Sequence, residues 1–264
     1  MGRAGAGGIG IVGMLAILAV GYFFGIDISP IVGGMSDSQT GESRELTQEE
    51  KDSGQFVSVV LADTEEVWSK ILPEQAGVQY TDPQLVMFSG AVASACGSAQ
   101  SAMGPFYCPN DRKVYLDTDF FKIMSQKMGA GGDFAYAYVI AHEVGHHVQN
   151  LLGILGQTMQ ARQQSDEVTA NRISVATELQ ADCFAGIWAR QASQQFGTID
   201  DEDIREAINA AAAVGDDTLM KKAGRAPMPD AFTHGSSEDR MSWFKRGFAS
   251  GQLSSCDTFK ASGF

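Results

Sequence analysis

The sequence predicts an α+β domain that is mainly helical, has a small antiparallel or mixed sheet, and is preceded by one N-terminal transmembrane helix. Three observations support this prediction. Residues 8–26 carry no charge, several longer segments repeat apolar residues at helical spacing, and short apolar runs alternate with turn residues between positions 80 and 118. Helical spacing brings apolar side chains to one face, whereas short runs bounded by turns are typical of strands.

The apolar segment 8–26 is long enough to cross the hydrocarbon core of a bilayer as a helix. Arg3 precedes it and Asp27 follows it, an asymmetry that places residues 1–7 in the cytoplasm and the rest of the chain outside. Because no small-residue cleavage site follows, we interpret the segment as an uncleaved anchor, with a buried core helix as the alternative. Residues 27–46, rich in glycine, serine and acidic residues, predict a flexible linker before a folded domain at 47–264.

Capping and breaking residues define the predicted elements of that domain. A first helix runs from a capping box at Thr47 to about Leu72 and ends before Pro73. Strands are predicted at 85–88, 104–108 and 113–116, with a hairpin turn at 109–112 between the last two. Further helices begin at polar or acidic residues, with a proline-containing loop at 215–233 before the last of them. The starts are Asp119, Asp133, Ser165 with Asp166 and Glu167, Asp200 to Asp203, and Ser236.

Charge and cysteine content limit the classes of partner and compartment. The net charge of −13 argues against nucleic acid, because phosphate neutralisation needs clustered lysine and arginine. The four cysteines form no C-x-x-C pair, so a cysteine zinc site is not expected. An even number at wide spacing favours two disulfides in an oxidising compartment, the alternative being four buried thiols in a cytosolic protein. Among the possible pairings we favour Cys96 with Cys108 and Cys183 with Cys256.

The motif His142-Glu143-Val144-Gly145-His146 carries the predicted chemistry. On a helix, His142 and His146 lie one turn apart on one face, so both imidazoles reach a single metal ion. In metallopeptidases with this H-E-x-x-H pattern, the glutamate handles the proton of the attacking water, which is the role predicted for Glu143. The alternative is a helix whose surface histidines never meet a metal. His147 points about 100° away around the helix, so we expect it to pack behind the ligands rather than bind metal.

A catalytic zinc site needs three protein ligands and an open position, so one ligand is missing from the motif. No later histidine has the spacing of a longer zinc motif, which leaves a carboxylate from a second helix. Glu178 and Asp182 lie four residues apart among apolar neighbours, where an idle carboxylate pair would be costly. We therefore predict that Glu178 binds zinc and that Asp182 accepts a hydrogen bond from a ligand imidazole. The alternative for this pair is an ordinary solvated helix face.

Two further residues are candidates for the site, and both lie near the start of the last predicted helix. His234, in the preceding loop, is predicted to donate a hydrogen bond to the oxyanion of a tetrahedral intermediate. Arg240 is expected to hold that loop or to bind a carboxylate. The alternatives are a surface loop histidine and a helix salt bridge.

The sequence resembles the bacterial neutral zinc metallopeptidase family, which comprises membrane-anchored zincins of the gluzincin type. Five stretches, spread over most of the chain, carry the resemblance: Gly-Pro-Phe-Tyr-Cys-Pro at 104–109, Val-Tyr-Leu-Asp at 114–117, His-Glu-Val-Gly-His-His-Val-Gln at 142–149, Glu-Leu-Gln-Ala-Asp-Cys-Phe-Ala-Gly at 178–186 and Phe-Thr-His-Gly-Ser-Ser at 232–237. The resemblance implies a zincin-like fold with one zinc ion per chain. It implies that His142, His146 and Glu178 bind this ion and that Glu143 is the catalytic base.

The function expected from these residues is zinc-dependent hydrolysis of peptide bonds by a membrane-anchored enzyme whose catalytic domain faces the periplasm or the outer side of the membrane. The substrate would be a peptide or protein lying extended along the hairpin at 104–117. One alternative is a non-catalytic, zinc-stabilised scaffold tethered to the membrane, although a structural site would not need Glu143. Another is a zinc amidase that acts on cell-wall peptides.

Overall fold

The computed structural model of the chain describes residues 48–100, 104–197 and 199–264. The predicted α+β class is confirmed, since helices dominate and the largest sheet has three strands. The predicted transmembrane segment, the linker and the cap at Thr47 lie outside the described residues. Within the described ranges, no helix has both the length and the apolar character needed to cross a bilayer.

Helices form most of the domain. In chain order they are α1 Gln48–Ala76, α2 Thr118–Ile123, α3 Asp133–Leu151, α4 Ile154–Gln163, α5 Glu167–Phe196, α6 Asp201–Ala213, α7 Asp216–Lys222, α8 Ser237–Ser250 and α9 Thr258–Ala261. A π-helical turn, Met124–Met128, continues α2, and 3₁₀ turns occur at Pro229–Ala231 and Leu253–Cys256. The strands are β1 Gln84–Phe88, β2 Ala91–Ser94, β3 Gly97–Gln100, β4 Phe106–Cys108 and β5 Lys113–Asp117.

The three-stranded sheet has the order β1-β5-β4. Strand β5 pairs in parallel with β1 and antiparallel with β4, so the sheet is mixed and β4 lies at its edge. The predicted hairpin with its turn at 109–112 is confirmed, and Arg112 adopts a left-handed conformation in that turn, with φ of 58°. Strands β2 and β3 form a separate hairpin that the sequence analysis did not predict.

Helix α3, which carries the H-E-x-x-H motif, lies in the middle of the domain and is buried along most of its faces. It packs against α1, α5 and α6, and α8 packs against α5 and α6. The core includes large side chains from α1, α3 and α5, among them Trp68, Ile140, Phe184 and Trp188. Burying one such side chain stabilises the fold by about 1.5–3 kcal/mol.

Glycines set the spacing between the helices that hold the motif. A Cβ atom placed on Gly145 would lie 2.9 Å from the carbonyl oxygen of Ala181, closer than van der Waals contact allows. Glycine at this position therefore lets α3 approach α5, the helix that carries Glu178. Gly186 and Gly247 permit a similar close approach between α5 and α8.

Both predicted disulfides are present in the structure. Cys96, in the β2–β3 turn, bonds to Cys108 in β4, and Cys183, in α5, bonds to Cys256 near the C-terminus. Among the described residues, no cysteine is free. In the chain-entropy model, the shorter of the two loops stabilises the fold by about 3 kcal/mol. The first bond fixes the β2–β3 hairpin to the edge strand, and the second fixes the C-terminal segment to α5.

Several predicted boundaries were wrong. Helix α1 continues through Pro73 to Ala76, because the buried side chains of Ile71 and Leu72 hold its last turns against the core. Asp117, not Asp119, caps α2 by accepting a hydrogen bond from the backbone N–H of Asp119.

The start of α3 and the later connections also differ from the predictions. Gly132 occupies the N-cap position of α3, and Glu206 of α6 supplies the carboxylate, accepting a hydrogen bond from the backbone of Phe134. Helix α4 was not predicted, the predicted loop at 215–233 contains α7, and α8 is followed by α9. Helix α7 is only seven residues long and buries no side chain fully, so its apolar pattern is weak.

Candidate metal centre

His142, His146 and Glu178 converge at one point between α3 and α5. The Nε2 atom of His142 lies 3.2 Å from one carboxylate oxygen of Glu178, and the Nε2 atom of His146 lies 3.5 Å from the other. One ligand atom from each of the three residues falls within 4.8 Å of the others. The structure thus brings together the three residues that the sequence analysis predicted as ligands.

This donor set fits zinc. Two imidazole nitrogens and one carboxylate oxygen are the ligands of a well-known class of catalytic zinc site, which leaves a fourth position open. In a tetrahedral site with bonds of about 2.0–2.1 Å, neighbouring ligand atoms lie about 3.3 Å apart. The nitrogen-to-oxygen separations of 3.2 and 3.5 Å match that spacing closely. Because these two separations are to different oxygens of Glu178 and the ligand atoms are grouped only within 4.8 Å, a bound zinc ion would draw the three side chains together.

The electrostatics of the three residues favour a bound cation. Burial lowers the pKa of His142, but Asp182 and Glu178 outweigh it and raise that pKa to about 10. Burial alone would raise the pKa of Glu178, yet the two histidines hold it well below its usual range. A pocket that stabilises protons on both imidazoles around an ionised carboxylate also stabilises a metal ion, which displaces those protons when it binds.

Behind His142 lies a buried polar network. Asp182 accepts a hydrogen bond from the Nδ1 atom of His142 at 2.8 Å, as predicted, which leaves Nε2 for the metal. The same carboxylate accepts hydrogen bonds from Tyr138, at 2.5 Å, and from Nε of Arg240, at 2.8 Å. Burial raises the pKa of Asp182, but Arg240 and His142 lower it to about 2, so this carboxylate is ionised at neutral pH. Arg240 thus binds the carboxylate of Asp182, which corresponds to the second of its two expected roles.

Behind His146 lies a neutral partner that the sequence analysis missed. Gln149 accepts a hydrogen bond from Nδ1 of His146 through its side-chain oxygen at 2.8 Å. Its amide nitrogen donates to the carbonyl of Thr177 and to the side chain of Gln180, so its orientation is fixed. Gln149 follows His146 by three residues on the same helix face, and this spacing could have predicted the hydrogen bond between them.

Glu143 lines the cleft beside the ligands and is 7% exposed. No group in the described part of the chain donates a hydrogen bond to its carboxylate. Burial raises its pKa, and the neighbouring histidines oppose that shift. A carboxylate that is unpaired, next to a metal site and raised in pKa has the properties of a general base.

His147, the third histidine of the motif, lies away from the metal site. Its Nε2 atom donates to the backbone oxygen of Thr81 at 2.6 Å, and its Nδ1 atom accepts from the hydroxyl of Tyr107 at 2.9 Å. Both nitrogens are therefore occupied, which explains why this residue does not join the ligands. Burial lowers its pKa, so the ring stays neutral. Because Tyr107 belongs to β4, His147 connects the motif helix to the edge strand.

His234 reaches the cleft from the loop before α8, as the sequence analysis predicted. Its Nδ1 atom lies 3.2 Å from Asp216, whose other oxygen accepts the backbone N–H groups of residues 233–235. Desolvation lowers the pKa of His234, but the hydrogen bond to Asp216 and the charge of Glu178 raise it overall. Asp216 was missed because acidic residues at the start of a short helix carry no distinctive pattern.

The cleft has a volume of about 420 Å³, within the range typical of ligand-binding sites. Its walls come from β4, α2, α3, α4 and α5, and from the loop with His234. Glu143, His142, His146 and Glu178 all line this one cavity. The predicted site residues that reach it are therefore those proposed for metal binding and proton transfer, together with His234 and Arg240.

Two histidines from an H-E-x-x-H helix and a glutamate from the next long helix form a cluster that could hold a metal ion, and this donor set is the one found in metallopeptidase zinc sites. The comparison with known families agrees. The family model described as "Putative neutral zinc metallopeptidase" matches residues 1–259. The chain belongs to this family, as the sequence resemblance predicted.

The chain is also similar to curated bacterial proteins. "Uncharacterized protein YpfJ" of Escherichia coli (strain K12) is 46% identical over 257 residues, covering 97% of this chain and 88% of the relative. "Uncharacterized protein Rv2575" of Mycobacterium tuberculosis (strain ATCC 25618 / H37Rv) is 44% identical over 224 residues, covering 80% of this chain and 73% of the relative. No solved structure matches the chain.

Proposed function

We propose that the protein is a zinc-dependent peptidase. The observation that carries this proposal is the position of Glu143: its carboxylate has no hydrogen-bond donor among the described residues and faces the same cleft as the three metal ligands. A site that only stabilised the fold would use a fourth protein ligand and would have no use for a free carboxylate in an open cleft. This argues against a zinc-stabilised scaffold.

Each residue of the site then has a defined task. When bound, zinc would polarise the scissile carbonyl and activate water for attack. Glu143 takes the proton of the attacking water and passes it to the leaving amine. His234, held by Asp216, donates a hydrogen bond to the oxygen that becomes negatively charged. Asp182 and Gln149 keep the two imidazoles in the tautomer that presents Nε2 to the metal.

The substrate chain is proposed to pair with β4. This strand lies at the edge of its sheet, and Phe106 and Tyr107 line the cleft. An extended peptide adding to that edge forms main-chain hydrogen bonds that do not depend on its sequence. His147 fixes the edge strand relative to the motif helix, so it controls the distance between the bound peptide and the metal.

Removal of the metal tests the proposed chemistry directly. We expect the zinc-loaded chain to cleave an unfolded protein substrate, and we expect dialysis against a chelator to lower that activity at least about 100-fold. Addition of one equivalent of zinc should restore it. The measurement is the rate of appearance of new amino termini. Activity that survives complete removal of zinc would contradict the proposal.

The pH dependence of hydrolysis tests His234. Asp216 raises the pKa of His234 above the ordinary histidine pKa of 6.5. The protonated imidazole, which donates the hydrogen bond, therefore persists to higher pH and is lost as pH rises further. Asp216→Asn removes that effect, so the alkaline limb of kcat/KM should move to lower pH. Asp201→Asn, at an exposed position in the first turn of α6, is the matched control. An unchanged limb in Asp216→Asn would exclude this role for His234.

The cellular setting is also a proposal. We propose that residues 8–26 anchor the protein in the membrane and that the catalytic domain lies outside the cytoplasm. The two disulfides support this setting, because such bonds persist in oxidising compartments. External protease should therefore degrade the domain in intact spheroplasts, and protection of the domain would contradict the proposal.

A further inference from the structure

The cleft contains an arginine side chain that has no role in the proposed chemistry. Arg162 lies in the last turn of α4 and lines the same cavity as the metal ligands. Its Nε atom is buried and has no hydrogen-bond partner within the described ranges of the chain. No described carboxylate forms an ion pair with its guanidinium. A buried donor without a partner costs free energy, so such a group is expected to have a ligand.

Each of the other charged groups of the cleft has a partner or a role in the proposed chemistry. Arg240 donates to Asp182, and His234 contacts Asp216. Glu178 belongs to the metal centre, and Glu143 stands beside it. Among the described lining residues, this leaves Arg162 as the charged side chain that has neither a partner nor a role in the proposed chemistry.

The surroundings of Arg162 strengthen its attraction for an anion. Much of the cleft wall is apolar and includes Ile123, Met128, Val139, Leu155 and Met159. A charge pair formed against such a wall is screened less than one in open water. The guanidinium also presents a rigid fork of N–H donors that matches the two oxygens of a carboxylate.

We propose that Arg162 binds a carboxylate of the peptide substrate and thereby makes this enzyme selective for acidic or carboxyl-terminal segments. The inference rests on the proposed peptidase function. An extended peptide advances about 3.3 Å per residue, and the cleft has a volume of about 420 Å³. The carboxylate therefore lies within a few residues of the scissile bond. It is either the C-terminal carboxylate or the side chain of an aspartate or glutamate.

Binding of matched peptides to the zinc-loaded Glu143→Gln chain tests this proposal without requiring hydrolysis. One pair consists of the same leucine-containing peptide with a free C-terminal carboxylate or a C-terminal amide. The second pair is amidated at the C-terminus and differs only by glutamate or glutamine within the sequence. Dissociation constants are measured by fluorescence anisotropy. We expect the acidic member of at least one pair to bind about 10- to 100-fold more tightly.

Substitution of the arginine then assigns that preference. On the same Glu143→Gln background, Arg162→Gln should reduce the ratio of the two dissociation constants to about one. Arg162→Lys should give an intermediate ratio, since lysine keeps the positive charge but lacks the planar pair of N–H donors. Arg246→Gln, which removes a surface guanidinium stacked on Trp243, should leave the ratio unchanged. Zinc content and thermal unfolding of each variant verify that the site is intact.

The outcomes separate the two proposals. Preference in the first pair identifies a C-terminal carboxylate, and preference in the second identifies an acidic side chain. The absence of any preference, including failure of all four peptides to bind, would overturn the role of Arg162, as would a preference that persists in Arg162→Gln. If the preference is present but the wild-type chain cleaves none of these peptides or an unfolded protein, the peptidase function is wrong and the carboxylate site remains.

Discussion

Glu143→Gln is expected to lower kcat for peptide hydrolysis by about 10²–10⁴-fold and to leave one zinc ion bound per chain. Glutamine has nearly the same shape as glutamate but cannot accept the proton of the attacking water. Zinc should be retained, because Glu143 is not among the three converging ligands. The measurements are single-turnover cleavage of an unfolded protein and elemental analysis of the same preparation.

Glu74→Gln is the matched control for this experiment, since Glu74 lies on the exposed surface of α1 and away from the cleft. It should behave as the wild type in both measurements. Equal activity of Glu143→Gln and wild type would refute the proposed peptidase function. Zinc retention with no activity in any variant would instead support the zinc-stabilised scaffold.

Asp182→Asn is expected to lower the free energy of unfolding by about 3–5 kcal/mol, the range for removing one partner of a buried ion pair. Arg240 is only 4% exposed and would lose the charge that balances its own. The pKa of Asp182 is depressed to about 2, below its ordinary 3.8. Its contribution is therefore complete at neutral pH and is lost only as pH falls through about 2. Urea unfolding at pH 7 measures the loss.

A double-mutant cycle separates the charge effect from loss of packing. Arg240→Met alone removes the cation, and the double variant Asp182→Asn, Arg240→Met should be less destabilised than the sum of the two single changes. Additive effects would show that the two side chains do not act as a pair. A loss below about 1 kcal/mol in Asp182→Asn would contradict the buried-pair account altogether.

The parts of the site that depend on local periodicity could be predicted from the sequence. His142 and His146 share a face because they lie four residues apart on a helix, and this relation holds in any fold. Glu178 and Asp182 were predictable because a carboxylate pair among apolar neighbours needs partners. The pairing of Cys183 with Cys256 was favoured from the sequence, and the structure contains that bond.

Other parts depend on tertiary contacts, which no local pattern encodes. Asp216 reaches His234 only because α7 packs beside the loop before α8, and Tyr138 joins Asp182 only because α3 and α5 are close. The hairpin of β2 and β3 was missed because its small residues give little apolar contrast. Arg162 was not predicted because α4, which places it in the cleft, was not predicted either.

X-ray absorption at the zinc edge of the purified, zinc-loaded chain is the decisive experiment on the metal centre. We expect one zinc ion with nitrogen and oxygen ligands at about 2.0–2.1 Å, two of them imidazoles, and an open position filled by solvent. Glu178→Ala should change this coordination and release most of the metal. Sulfur coordination, fewer than two imidazoles, or a spectrum unchanged by Glu178→Ala would contradict the assignment of His142, His146 and Glu178 as the metal centre.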